Sequence, residues 1–165
     1  MNTFDIRPGE IQLTPDPATR APDAGIVFVG RVRTPWQTLA ELPKNPRQAR
    51  ERGVTAELHI DEALRPGMSG LEKFSHVVVL YWMHKSRRDV IVQTPKHLPE
   101  PRGVFALRSP VRPNPIAMSV VRVLRLDQAA GVIEIDAIDC LDGTPIVDIK
   151  PYLPSIDAVP NARTL

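Results

Sequence analysis

The sequence predicts an all-β or β-rich fold, a small barrel with short helical turns and long loops. Three observations carry this reading. About seven or eight short apolar runs follow one another, several alternating with period two. No long helical patterns are interleaved between them, as a doubly wound sheet would require. The 18 prolines among 165 residues are roughly twice the usual share and mark many connections. The length suits one domain, so the expectation is an extended N-terminal arm over 1–23 and a single domain over 24–165.

The arm carries Pro8, Pro15, Pro17 and Pro22 with few apolar residues in sequence, hence extended or partly disordered backbone. Residues 24–33 are β-branched and close on Thr34-Pro35, a first strand. Residues 36–53 form a long connection, in which Arg47, Gln48 and Arg50 read as solvated side chains unless a ligand meets them. Over 54–60, Val54, Ala56, Leu58 and Ile60 share one face against Thr55, Glu57 and His59, a half-buried strand. A short helical turn over 61–71 is expected to break at Pro66-Gly67.

Residues 74–84 are too continuously apolar for a solvent-facing strand, and period two puts His76, Trp82 and His84 on one face. A short strand over 90–93 leads to a polar loop. Residues 116–127 form a longer strand whose apolar parity slips at Leu124, predicting a bulge there. Residues 132–138 return as its hairpin partner. A turn over 139–145 with Asp142-Gly143 at its tip precedes a last strand over 146–149.

Net charge of +2 permits a nucleic-acid partner without requiring one. Cys140 is the only cysteine, so an intramolecular disulfide is ruled out; its apolar neighbours read as a buried structural thiol, suiting a reducing cytoplasm. No stretch approaches the ~20 apolar residues of a membrane helix, and the polar N-terminus does not read as a signal peptide. Gly-x-Gly, Gly-Lys-Ser/Thr and Gly-x-Ser-x-Gly are all missing, which excludes a Rossmann turn, a P-loop and a nucleophile elbow. His59, His76, His84 and His97 with Cys140 lack metal-ligand spacing.

One polar stretch is stiff. Across 103–119, Pro110, Pro113 and Pro115 fix φ and hold Ser109, Arg112 and Asn114 on extended backbone, either a plain connection or a preorganised binding wall.

The ordered motifs are specific. Gly103-Val-Phe-Ala-x-Arg-Ser-x-x-Arg-Pro-Asn-Pro-Ile116 with Ser119, then Leu141-Asp-Gly-Thr-Pro-x-Val-Asp-Ile-Lys-Pro-Tyr-Leu-Pro154, resemble the TsaA-like family of TrmO-type tRNA methyltransferases. Phe74-Ser-His76, Glu57-Leu-His59 and Pro46-Arg-Gln48 support the resemblance, which covers roughly 26–154. It implies a small β-barrel that binds S-adenosylmethionine, works as a homodimer and methylates the exocyclic nitrogen of threonylcarbamoyladenosine beside the tRNA anticodon. The chain would be a short form, without the second domain of longer bacterial members.

Carried over by position, the cofactor contacts are Pro46, Arg47, Gln48, His84, Lys85, Arg108, Asp139, Cys140, Leu141 and Asp142. Guanidinium groups suit the cofactor's carboxylate, and acidic groups suit its cationic end. His84, Asp139 and Asp142 are the alternative proton acceptors, and Arg112 and Asn114 contribute to substrate binding or the pocket wall. Two other functions compete: methylation of a small molecule, and a SAM-binding module without turnover.

Overall fold

The computed structural model describes residues 6–95 and 98–164; the first five residues of the expected arm and His97 lie outside them. Nine strands are described: β1 (Ile11–Gln12), β2 (Gly30–Arg33), β3 (Ala56–Ile60), β4 (His76–Trp82), β5 (Val90–Gln93), β6 (Arg102–Gly103), β7 (Ile116–Asp127), β8 (Val132–Ile135) and β9 (Pro145–Pro151). Two short helices join them, α1 (Pro46–Glu51) and α2 (Pro154–Asp157). The β-rich class is therefore observed. By backbone contacts the chain forms two compact units, one of Met1–Val27 with Trp82–Ala117 and one of Phe28–Tyr81 with Met118–Leu165.

In the second unit the strand order β2-β3-β8-β7-β4-β9 closes on itself as a barrel, in which β2–β3, β2–β9, β3–β8, β4–β9 and β7–β8 pair antiparallel. Period two explains the core. Leu58 on β3, Val77 and Val79 on β4, Val121 on β7, Ile133 and Ile135 on β8 and Ile146 on β9 are all fully buried. Each buried side chain of this size stabilises by about 1.5–3 kcal/mol. The close approach of β2 to β3 requires Gly30, because a Cβ there would lie 2.0 Å from the His59 carbonyl oxygen. The predicted bulge is present, the β7–β8 register shifting between Val123 and Arg125 and leaving Leu124 exposed.

The first unit holds a three-stranded sheet of order β1-β5-β6. Here the expected arm departs from prediction, since Ile11–Gln12 pairs with β5. Side chains fasten it: Glu10 Oε1 accepts from Thr94 N at 3.1 Å, and Gln12 Nε2 donates to Asp89 Oδ2 at 2.5 Å. These partners lie more than 70 residues away in sequence, which is why local reading missed them.

Three further expectations are corrected. The strand predicted over 24–33 begins only at Gly30, and Val27 is 78% exposed. The strand predicted over 74–84 ends at Trp82, because the chain turns: His84 N donates to Trp82 O and Ser86 N to Met83 O. The turn over 61–71 is not broken at Pro66; a 3₁₀ helix runs through it from Glu62 to Met68. Among the described residues, no helix is long and apolar enough to cross a membrane.

Candidate functional site

In the barrel unit two of the predicted segments take defined places. The first is α1, hidden in what reads as a long connection. Asn45 caps it, its side-chain oxygen accepting from Gln48 N at 2.9 Å, and Pro46 occupies the first turn. Asn-Pro in that order is a helix-start signal that the sequence does contain. Arg47 is exposed and pairs with Glu51, at 3.0 Å one turn on. Gln48 Oε1 accepts from Lys44 N at 2.7 Å, closing the entry to the helix. Arg50, though exposed, is also fastened: Nε meets Asp136 Oδ2 at 2.6 Å, and Nη2 donates to Val120 O at 3.0 Å.

The second segment is the acidic turn between β8 and β9. Asp142 N donates to Trp36 O at 2.8 Å and Gly143 N to Val32 O at 2.9 Å, while Gly143 takes the positive φ of 73° that the tip demands. The Asp142 carboxylate is committed to β2 and the residue after it, Oδ1 accepting from Thr34 N at 3.2 Å and Oδ2 from Arg33 Nη1 at 3.4 Å. Leu141 O accepts from Thr144 Oγ1 at 2.7 Å. Cys140 is fully buried, and burial pushes its thiol up to about 12, which makes it an inert structural group.

Asp139, half-buried, differs. Its Oδ1 accepts from the Tyr81 hydroxyl at 2.9 Å, and that hydroxyl lies 3.0 Å from Ser119 Oγ. Burial first, then the Asp139 charge, holds the Tyr81 phenol protonated well above its ordinary range. Sequence reading found Ser119 only as part of a motif and missed Tyr81. The signal was a tyrosine in inward register with Val77 and Val79 on β4.

In the other unit, His84 and Lys85 are exposed on the turn after β4. Arg108 is exposed on the stiff loop. Arg112 braces that loop from within: Nε donates to Ser109 O at 2.8 Å, and Nη2 to Val104 O at 2.9 Å and to Leu107 O. Asn114 is exposed, and its Oδ1 accepts from Arg88 Nη2 at 3.4 Å. Arg88 also donates from Nε to Pro113 O at 2.6 Å, and its guanidinium lies over the Trp82 indole, 5.4 Å from the ring centroid. Thus Arg112 and Arg88 fasten the loop through its own carbonyl oxygens.

A family model described as the tRNA-methyltransferase O N-terminal domain matches residues 31–158. The chain belongs to this family. A probable S-adenosyl-L-methionine-binding protein VirR of Rhizobium radiobacter is 43% identical over 78% of this chain and 71% of the relative. The tRNA (adenine(37)-N6)-methyltransferase of Escherichia coli is 34% identical over 81% of this chain and 60% of that enzyme. The crystal structure of TrmO from Pseudomonas aeruginosa superposes with a TM-score of 0.66 at 33% identity, covering 85% of this chain and 60% of that one. The chain therefore spans about three fifths of the length of these last two relatives.

Proposed function

We propose that this protein is an S-adenosylmethionine-dependent methyltransferase acting on the exocyclic nitrogen of threonylcarbamoyladenosine beside the tRNA anticodon. The observation that carries the reading is the family match over 31–158. The donor set suits the cofactor. Arg47 carries an exposed guanidinium paired with a surface carboxylate, and Arg108 carries a second exposed one; a guanidinium suits a carboxylate ligand. Pro46, Gln48, His84, Lys85 and the 139–142 turn complete the proposed contacts, the turn supplying negative charge for a cationic centre. Arg112 and Asn114 keep the loop wall in shape.

When bound, the cofactor supplies an electrophilic methyl group on a sulfonium sulfur. The protein's share is alignment, exclusion of water and removal of one proton, because a urea-type nitrogen is a weak nucleophile until its proton leaves. His84, Asp139 and Asp142 are the proposed acceptors.

A second reading has its own support: the VirR relative, at 43% identity, is named for binding S-adenosylmethionine. Incubation with methyl-labelled cofactor and tRNA bearing threonylcarbamoyladenosine, followed by nucleoside analysis, separates the two. Label in that nucleoside is expected. Cofactor binding without transfer would leave the binding module, and transfer only to small acceptors would indicate a small-molecule enzyme.

A homodimer in the cytoplasm completes the proposal. Met118 and Leu124 stand exposed on β7, and Ile156 and Val159 near the C-terminus are 73% and 67% exposed, apolar surface that a second copy would cover. Sedimentation should give twice the mass of the 18.3 kDa chain. Residues 24–165 are further proposed to fold as one domain, with a single melting transition.

A further inference from the structure

Two of the three candidate acceptors sit three residues apart on one turn, and the barrel interior treats them differently. Asp142 has both oxygens engaged, one by Thr34 N and one by Arg33. Asp139 has Oδ1 occupied by Tyr81, which leaves Oδ2 to take a proton.

The Tyr81 and Ser119 hydroxyls are unusual occupants of their positions. They lie on inward faces of β4 and β7, 3% and 4% exposed, where Val77, Val79 and Val121 are fully buried. An apolar residue would fill such positions without the desolvation penalty that hydroxyls carry. That penalty is offset only because both hydroxyls are bonded.

The direction of the protons follows. The phenol stays protonated, and its single hydrogen goes to the Asp139 carboxylate, an acceptor without a hydrogen of its own when ionised. Ser119 then donates to the phenol oxygen. A buried chain Ser119–Tyr81–Asp139 thus points one way and ends on one oxygen of the carboxylate.

We infer that Tyr81, oriented by Ser119, is the positioning residue that makes Asp139 the proton acceptor of the methyl transfer. The inference rests on the methyltransferase reading above. Asp139 takes through Oδ2 the proton that the substrate nitrogen loses as its bond to the methyl carbon forms, while the electron pair of the broken carbon–sulfur bond stays on sulfur. Being half-buried, the carboxylate then returns the proton to water.

The test compares wild type, Tyr81→Phe, Ser119→Ala and Asp139→Asn by kcat, by KM for cofactor and tRNA, and by circular dichroism. Tyr81→Phe keeps the ring and removes one hydroxyl, so a misaligned acceptor should lower kcat by about 10- to 100-fold while KM for both substrates stays within about twofold. Ser119→Ala should give a smaller fall of the same kind. Unchanged kcat in Tyr81→Phe, or a rise in KM with kcat preserved, overturns the inference while label transfer by wild type keeps the methyltransferase reading. Wild type that binds cofactor and transfers no label ends both. Should Tyr81→Phe fail to fold, Ser119→Ala decides, and unchanged kcat there overturns the inference.

Discussion

Arg50→Ala should detach α1 from the barrel, and the structure sets the size of the effect. The guanidinium makes two bonds, to Asp136 Oδ2 at 2.6 Å and to Val120 O at 3.0 Å, with side-chain exposures of 43% for Arg50 and 21% for Asp136. A wholly exposed pair is worth about 0–1 kcal/mol, and a hydrogen bond to a charged group about 1.5–3. Partial exposure places this contact between the two, so the expected loss is about 1.5 kcal/mol, or about 3 to 6 °C in Tm for a chain of this length. Asp136 keeps its bond from Arg122 N at 2.8 Å, so its charge is not stranded. Thermal melts of wild type, Arg50→Ala, Asp136→Asn and the double variant give the coupling directly, expected at about 1 kcal/mol. Because α1 carries Pro46, Arg47 and Gln48, Arg50→Ala should also weaken cofactor-induced stabilisation. A Tm within about 1 °C of wild type, or zero coupling, would refute the claim that this pair docks the helix.

Arg108→Ala should abolish the thermal shift produced by S-adenosylmethionine and leave the unliganded Tm unchanged; a persisting shift removes Arg108 from the cofactor contacts. The Arg87 side chain, above all, holds the Asp89 carboxyl below its ordinary value of 3.8. The stabilisation tied to this depressed carboxyl is complete above the unfolded value and lost as pH falls through the folded one, so Asp89→Asn should flatten part of the decline in Tm between about pH 5 and 2. Equal acid slopes in the two proteins would contradict this. Cys140, fully buried and with its thiol raised to about 12, should resist iodoacetamide at neutral pH in the folded protein and react once denatured. Rapid labelling of native protein would show the thiol accessible.

The strands that proved legible are those whose alternation is local. Ala56 to Ile60 and Val132 to Ile135 announce inward faces by spacing alone, within predicted runs two and three residues longer, and the slip at Leu124 locates its bulge because a change of parity has one structural meaning. What stayed hidden depends on distant partners. Nothing near Ile11 says that it pairs with Val92, and nothing near Arg50 names Asp136, 86 residues on. The site follows the same division: prolines declare the stiff loop, whereas its fasteners Arg112 and Arg88 look like any surface arginine until their carbonyl partners are seen.

Asp139 and Asp142 show why motif reading could not choose between two carboxylates on one turn. Both are acidic, both fall in the same run, and Asp-Gly favours a tight turn whatever else the residue does. Their difference is imposed from across the barrel. Thr34 N and Arg33 take Asp142 from β2 and the residue beyond it, so neutralising Asp142 weakens the turn's side-chain hold on that strand. Tyr81 reaches Asp139 from β4, using a hydroxyl whose burial carries a penalty that shape alone does not require. The two substitutions should therefore fail differently: Asp142→Asn in stability first, Asp139→Asn in turnover with the melting temperature largely retained. Parallel melts and kcat measurements read that contrast, and equal losses of stability in both variants would show that the turn uses its two carboxylates alike.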